Sequence, residues 1–243
     1  KKKIIYILGS GRSGTTLLDA ILGNQGGILS CGELNRYADH DGVPPLGSEA
    51  TQKFWSKIKQ DMLLKNQTDS ISWYSNLVNN YEYHTGFLLS LFYKNKTKYK
   101  IYSRFIVNLY DSIFQSVGEK YIVDSSKHPG RLYHINNNNL DVKVIYIVRK
   151  YSDVISSFQK KNIEQPFKNR FAATIYYFAI NYLCKLTLYL CRKRIRFVKV
   201  KFEDLINNTS YNSSKYHLLT KKLYKGLFIE TIELGNSLFL TNK

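Results

Sequence analysis

The stretch Ile4-Ile5-Tyr6-Ile7-Leu8-Gly9-Ser10-Gly11-Arg12-Ser13-Gly14-Thr15-Thr16 decides the fold. An unbroken apolar run is what a strand buried on both faces needs, and the glycines that follow turn the chain tightly. Gly9, Gly11 and Gly14 let backbone N–H groups approach an anion, and a helix beginning near Gly14 adds unpaired N–H groups and a positive dipole end. The turn is therefore expected to hold a phosphate or a close chemical relative. It satisfies the dinucleotide pattern G-x-G-x-x-G and falls one residue short of the nucleotide pattern G-x-x-x-x-G-K-[ST]. Thr15 stands where the ATP and GTP enzymes carry a Lys, and Arg12 is the only cation of the loop, which disfavours a magnesium-dependent NTPase. Glu33, after the strand-like Gly27-Ile28-Leu29-Ser30, has the offset of a dinucleotide's ribose ligand. The glycines alone do not choose between these readings.

Other blocks do. Arg12-Ser13-Gly14-Thr15-Thr16-Leu17-Leu18 fits [KR]-S-G-T-T-L-L and resembles the 5′-phosphosulfate loop of sulfotransferases that use 3′-phosphoadenosine 5′-phosphosulfate. Val144-Ile145-Tyr146-Ile147-Val148-Arg149, followed by Asp153 and Ser157, is similar to the 3′-phosphate motif of the same family. Between them Asp124-Ser125-Ser126-Lys127 resembles the D-S-S-K segment of the carbohydrate-type and bacterial branches. Cys31-Gly32-Glu33 resembles the segment that carries the general base in the tyrosylprotein branch, and Phe202-Glu203-Asp204-Leu205 looks like a late E-D-L landmark. The resemblance spans roughly residues 4–236 in the right order. It implies one α/β domain over residues 1–243, P-loop-like, with a central parallel sheet flanked by helices.

The resemblance also implies roles. Arg12, Ser13, Gly14, Thr15 and Thr16 would bind the 5′-phosphosulfate, and Arg149 with Ser157 would clamp the 3′-phosphate. Lys127 would hold the bridging or transferring oxygens, and Glu33 would take the proton of an acceptor hydroxyl. The implied co-substrate is 3′-phosphoadenosine 5′-phosphosulfate, the acceptor a carbohydrate, a peptide tyrosine or a small molecule, with carbohydrate or small molecule preferred. Each residue has a plainer reading. Arg149 could be a solvated cation at a strand end, Glu33 a carboxylate that ends a strand in solvent, and Asp153 is read as a charge at a helix N-terminus. Asp124 is read as a helix N-cap in preference to a magnesium ligand. Two other functions stay open: a P-loop-like kinase, and a non-catalytic anion- or glycan-binding relative of the fold.

Composition narrows the classes. The net charge of +18 suits phosphate, sulfate, acidic glycans, nucleic acid or anionic membrane, but no helix-turn-helix, zinc-finger spacing or RNA-binding strand motif accompanies it. Nucleic acid is therefore not expected as a partner. The five histidines show no metal-ligand spacing, and no metal is expected. Residues Phe171 to Cys191 mimic a membrane span, yet Lys185 near the middle makes a long, mostly buried core helix the better expectation. Cys184 and Cys191, on one helix, would stand roughly 10 Å apart, beyond disulfide reach. Sparse cysteine points to a cytoplasmic protein, whereas the sequons at Asn66, Asn95, Asn207, Asn208 and Asn212 point to a Golgi lumen if a preceding anchor has been removed. Residues 50–117 are expected to form several helices, and Asp41 to Gly47 a turn-rich loop that gates the acceptor. Gly235-Asn236 looks like a landmark that precedes an Arg-containing loop over the co-substrate, but Ser237-Leu238-Phe239-Leu240 comes next. A truncated end, closure by another element, or reduced affinity for the co-substrate is the expectation there.

Overall fold

The computed structural model describes residues 3–45, 47–92, 95–118, 121–160 and 167–209. Their elements, in order, are β1 (Lys3–Gly9), α1 (Thr15–Gly23), β2 (Ile28–Ser30), α2 (Glu49–Asn66), α3 (Ser75–Glu82), α4 (His84–Phe92) and α5 (Lys96–Ser116). Then come β3 (Tyr121–Lys127), α6 (Pro129–Asn137), β4 (Val142–Val148), α7 (Tyr151–Gln159), α8 (Arg170–Cys191), β5 (Arg196–Lys201) and α9 (Phe202–Thr209). The strands form one sheet in the order β2-β3-β1-β4-β5, and every neighbouring pair is parallel. Gly235-Asn236 lies outside the described residues.

The apolar run that opens the chain is explained by its place at the centre of the sheet. Ile4, Tyr6 and Leu8 enter a core shared with α2, α3, α5, α6 and α8, while Ile5 and Ile7 enter a second core with Leu18, Ile21 and Leu22 of α1. Both faces of β1 are therefore dry, and alternation of polar and apolar residues is not available to it. Parallel pairing brings the carboxyl ends of all five strands to one edge. The strand order reverses beside β1, because the chain leaves β1 toward β2 on one side and β4 toward β5 on the other, and such a switch point opens a crevice at that edge.

The pairing of β1 with β3 is irregular near that edge. Tyr6 pairs with Asp124, but Leu8 pairs with Lys127, so β3 carries an extra residue within Asp124-Ser125-Ser126-Lys127. A bulge of this kind re-aims the side chain at its end. Lys127 has a left-handed backbone, with φ 60, and sits at the carboxyl edge. Asp124 is not a helix cap, contrary to expectation. It lies inside β3, fully buried, where it accepts from Arg131 Nε at 2.7 Å, from the Tyr110 hydroxyl at 2.5 Å and from Ser126. Arg131 reaches on to Glu82 at 2.7 Å, so a closed ionic network joins β3, α6, α3 and α5.

The helix α8 departs from expectation in its burial. Ile180, Leu183, Cys184, Leu188 and Cys191 line its inner face, whereas Phe171, Ile175, Phe178 and Tyr182 are exposed. It covers the sheet with one face only. Cys184 and Cys191 are free thiols, and among the described residues no helix is long and apolar enough to cross a membrane.

Candidate active site

The turn after β1 is built as the glycines suggest. Gly14 has φ 93, and a Cβ there would stand 2.1 Å from the Phe202 ring, so this position admits glycine alone. Gly14 precedes α1 without any side-chain cap, which leaves the N–H groups of the first turn to an outside acceptor. Arg12 also takes a left-handed backbone, φ 64, at a cost of about 1 kcal/mol or more. Its Nε is buried with no protein partner among the described residues. Ser13, in the middle of the turn, is not open to solvent. It is fully buried, and its hydroxyl donates to the Ser10 carbonyl at 2.6 Å, closing the turn from within. Thr15 is buried at the start of α1, and Thr16 is exposed.

Glu33 and Lys127 come together. Lys127 Nζ donates to Glu33 Oε1, and the pair keeps some water access, with Lys127 15% and Glu33 34% exposed. The sheet order is the cause: β3 lies between β2 and β1, so the cation at the end of β3 stands between the carboxylate after β2 and the turn after β1. The strand-to-turn passage of β2 is held firmly. Cys31 N–H donates to Val123 at 2.9 Å, Ser125 N–H to Gly32 at 2.9 Å, and Asn35 N–H to the Ser126 hydroxyl at 2.9 Å. Gly32, with φ 64, turns Glu33 out of the sheet. Both serines of the D-S-S-K segment thus tie the end of β3 to the passage after β2.

Arg149 leaves the end of β4 and donates from Nη1 to the Arg12 carbonyl at 3.1 Å. Its guanidinium lies 4.3 Å from the centre of the Phe202 ring, the ring that also confines Gly14, and its Nε is buried without a protein partner among the described residues. Arg149, Phe202 and the turn are one packed unit. Glu203 completes it by accepting from Lys150 N–H at 2.9 Å, just before α7. Ser157 lies half-buried in the second turn of α7, and among the described residues no hydrogen bond ties it to Arg149. Asp153 occupies the first turn of α7, where a carboxylate suits the helix dipole.

Sequence reading missed Asp19. It is a buried carboxylate on α1 that accepts from Ser30 at 2.8 Å and from Ser125 at 3.1 Å, so it binds the helix behind the turn to β2 and β3, of which β2 leads to Glu33 and β3 ends in Lys127. Burial pushes its pKa up to about 6 against the pull of the two hydroxyls. A lone acid in Thr15-Thr16-Leu17-Leu18-Asp19-Ala20-Ile21-Leu22 was the available signal. His84 and His128 stand 5.3 Å apart between ring centres, and burial lowers their pKa values to about 4 and about 3, which keeps both neutral.

A cleft of about 280 Å³ opens beside Glu33. Cys31, Gly32, Tyr37, Val43, Pro44 and Trp55 are among its walls, so the turn-rich segment after Asp41 does border the carboxylate. Among the described residues no group of three His, Cys, Asp or Glu could hold a metal ion.

An uncapped turn, a cation and a carboxylate paired at the next strand end, and an arginine braced against the turn meet at the carboxyl edge of the sheet. A family model described as the sulfotransferase family matches residues 5–211. The chain belongs to the sulfotransferase family. Its fold is similar to that of sulfotransferase STF1 from Mycobacterium tuberculosis, with 13% identity, a TM-score of 0.54, and coverage of 94% of this chain and 68% of that one. It is also similar to the sulfotransferase domain of an olefin synthase from Synechococcus, with 20% identity, a TM-score of 0.49, and coverage of 98% and 79%. No curated protein matches the sequence.

Proposed function

We propose that the protein moves a sulfuryl group from 3′-phosphoadenosine 5′-phosphosulfate to a hydroxyl of a carbohydrate or small-molecule acceptor. The observation that carries this reading is the Lys127–Glu33 pair next to the anion turn. The co-substrate supplies an activated sulfuryl group on a phosphate leaving group, and its charge fits the unpartnered Nε atoms of Arg12 and Arg149 and the uncapped start of α1. Arg12 and the backbone of the turn would hold the 5′ end, and Arg149 and Ser157 the 3′-phosphate. Lys127, a compact ammonium on a flexible stem, would turn toward negative charge that develops over the turn. That movement releases Glu33, which then accepts the proton of an acceptor hydroxyl lying in the neighbouring cleft. Trp55, Tyr37 and Val43, which line the cleft, would shield the reacting groups from water.

Transfer of labelled sulfate from that nucleotide to a panel of carbohydrate, phenol, lipid and peptide acceptors tests the proposal. Sulfated product is expected, with binding and turnover unaffected by excess chelator. Preference for magnesium-ATP, or tight nucleotide binding with no acceptor ever sulfated, overturns it.

A further inference from the structure

Beside the anion turn stand two side chains that no sequence motif marks. Tyr176, in the second turn of α8, accepts a hydrogen bond from Gly11 N–H at 3.1 Å. That bond uses one lone pair of the hydroxyl and leaves its hydrogen, which has no acceptor among the described residues. Burial holds the phenol above its ordinary pKa, so the hydrogen is retained at neutral pH. Lys168 reaches the same place from the segment that precedes α8. Its Nζ is 5.4 Å from the centre of the Tyr176 ring and 5.8 Å from that of Phe158, and Arg12 Cζ is 6.0 Å from the same Phe158 ring. Two cations thus flank one aromatic ring at the mouth of the turn. Lys168 is anchored there by its backbone, whose N–H donates to the Phe158 carbonyl at 3.2 Å, and no carboxylate pairs with it among the described residues.

We propose that Tyr176 and Lys168 form a further arm of the donor site, in which the phenol hydrogen and the ammonium bind oxygens of the 5′-phosphate end of the nucleotide held over Gly11. The inference rests on the donor reading given above and adds to it the residues that close the turn from the α8 side. A phenol that already receives an N–H bond is polarised and oriented, so it donates along a fixed direction. The cation adds a point charge that can follow the ligand without a set geometry. Together they make the site selective for the 5′ end of the donor.

Calorimetry on the full chain decides the matter, with adenosine 3′,5′-bisphosphate and adenosine 3′-monophosphate as probes. Tyr176→Phe and Lys168→Gln are each expected to weaken the bisphosphate about tenfold or more, while the 3′-monophosphate, which lacks the group these residues contact, changes less than about twofold. Lys168→Arg should recover most of the loss, and Lys168→Gln should flatten the salt dependence of bisphosphate binding. Variants that bind the bisphosphate as tightly as the parent overturn the inference, as do variants that lose both nucleotides equally, because that pattern marks a purely structural role. If the parent protein binds neither nucleotide, the donor reading itself fails and this inference falls with it.

Discussion

Replacement of Asp19 by Asn should change how stability depends on pH, with a sign that follows from the burial of its carboxyl. Asp19 is 9% exposed, and its pKa rises from 3.8 to about 6 through burial. At about 1.36 kcal/mol for each tenfold change in proton affinity, the folded state holds this proton more tightly than the unfolded chain by about 3 kcal/mol. The folded state therefore binds more protons between about pH 4 and pH 6, and stability falls as pH rises through that window. The contribution is complete below the unfolded pKa and lost above the folded one. The amide introduced by Asp19→Asn cannot titrate, yet it can still bond the Ser30 and Ser125 hydroxyls. Glu82, which burial pushes up to about 7, titrates in both proteins and cancels in the comparison. Urea unfolding of parent and Asp19→Asn proteins at intervals from pH 4 to pH 7.5 should show the parent losing about 2 kcal/mol relative to the variant, since part of the contribution is already gone at pH 4. Parallel profiles, with a constant difference across the range, would refute the reasoning.

Other perturbations reach the chemistry and the frame. Glu33→Gln should lower turnover about 10²–10⁴-fold with nucleotide affinity nearly unchanged, and Lys127→Ala should lower turnover and also weaken nucleotide binding; steady-state rates and calorimetry separate the two. Gly14→Ala should abolish nucleotide binding and lower the melting temperature, since the new methyl group meets the Phe202 ring and φ 93 disfavours any side chain. Arg131→Leu should cost about 3–5 kcal/mol in urea unfolding, because Asp124 and Glu82 stay buried without their cation. Adenosine 5′-phosphosulfate, without the 3′-phosphate, should bind roughly tenfold to 150-fold more weakly than the 3′-phosphorylated donor in calorimetry.

The parts of this fold that sequence reveals are those whose residues satisfy local rules. The buried run of β1, the glycine turn and the start of α1 follow from apolar continuity, backbone freedom and dipole geometry, and the structure has them at Lys3–Gly9 and Thr15–Gly23. The pairing of Lys127 with Glu33 is not readable in the same way, because it depends on β3 lying between β2 and β1, and strand order is a long-range property. That the Ser13 hydroxyl closes its own turn is likewise set by packing around Ser10 and Gly9, which the motif does not specify. Asp124 escapes local rules for the same reason: an acid in an apolar strand makes sense only once Arg131, Tyr110 and Glu82 are seen to converge on it. Tyr176 and Lys168 carry no signal at all, since aromatic and basic residues are common in this chain.

The cleft beside Glu33 takes nearly all of its walls from one unbroken stretch, Cys31 to Pro45, with Trp55 contributed from α2. The anion turn, Arg149 and Phe202 come from other parts of the chain and are braced against one another. In the proposed function, recognition of the acceptor would thus be encoded apart from retention of the donor. A relative with a different stretch of about fifteen residues after β2 would present a different cleft on the same sheet, an exchange that leaves the strands untouched.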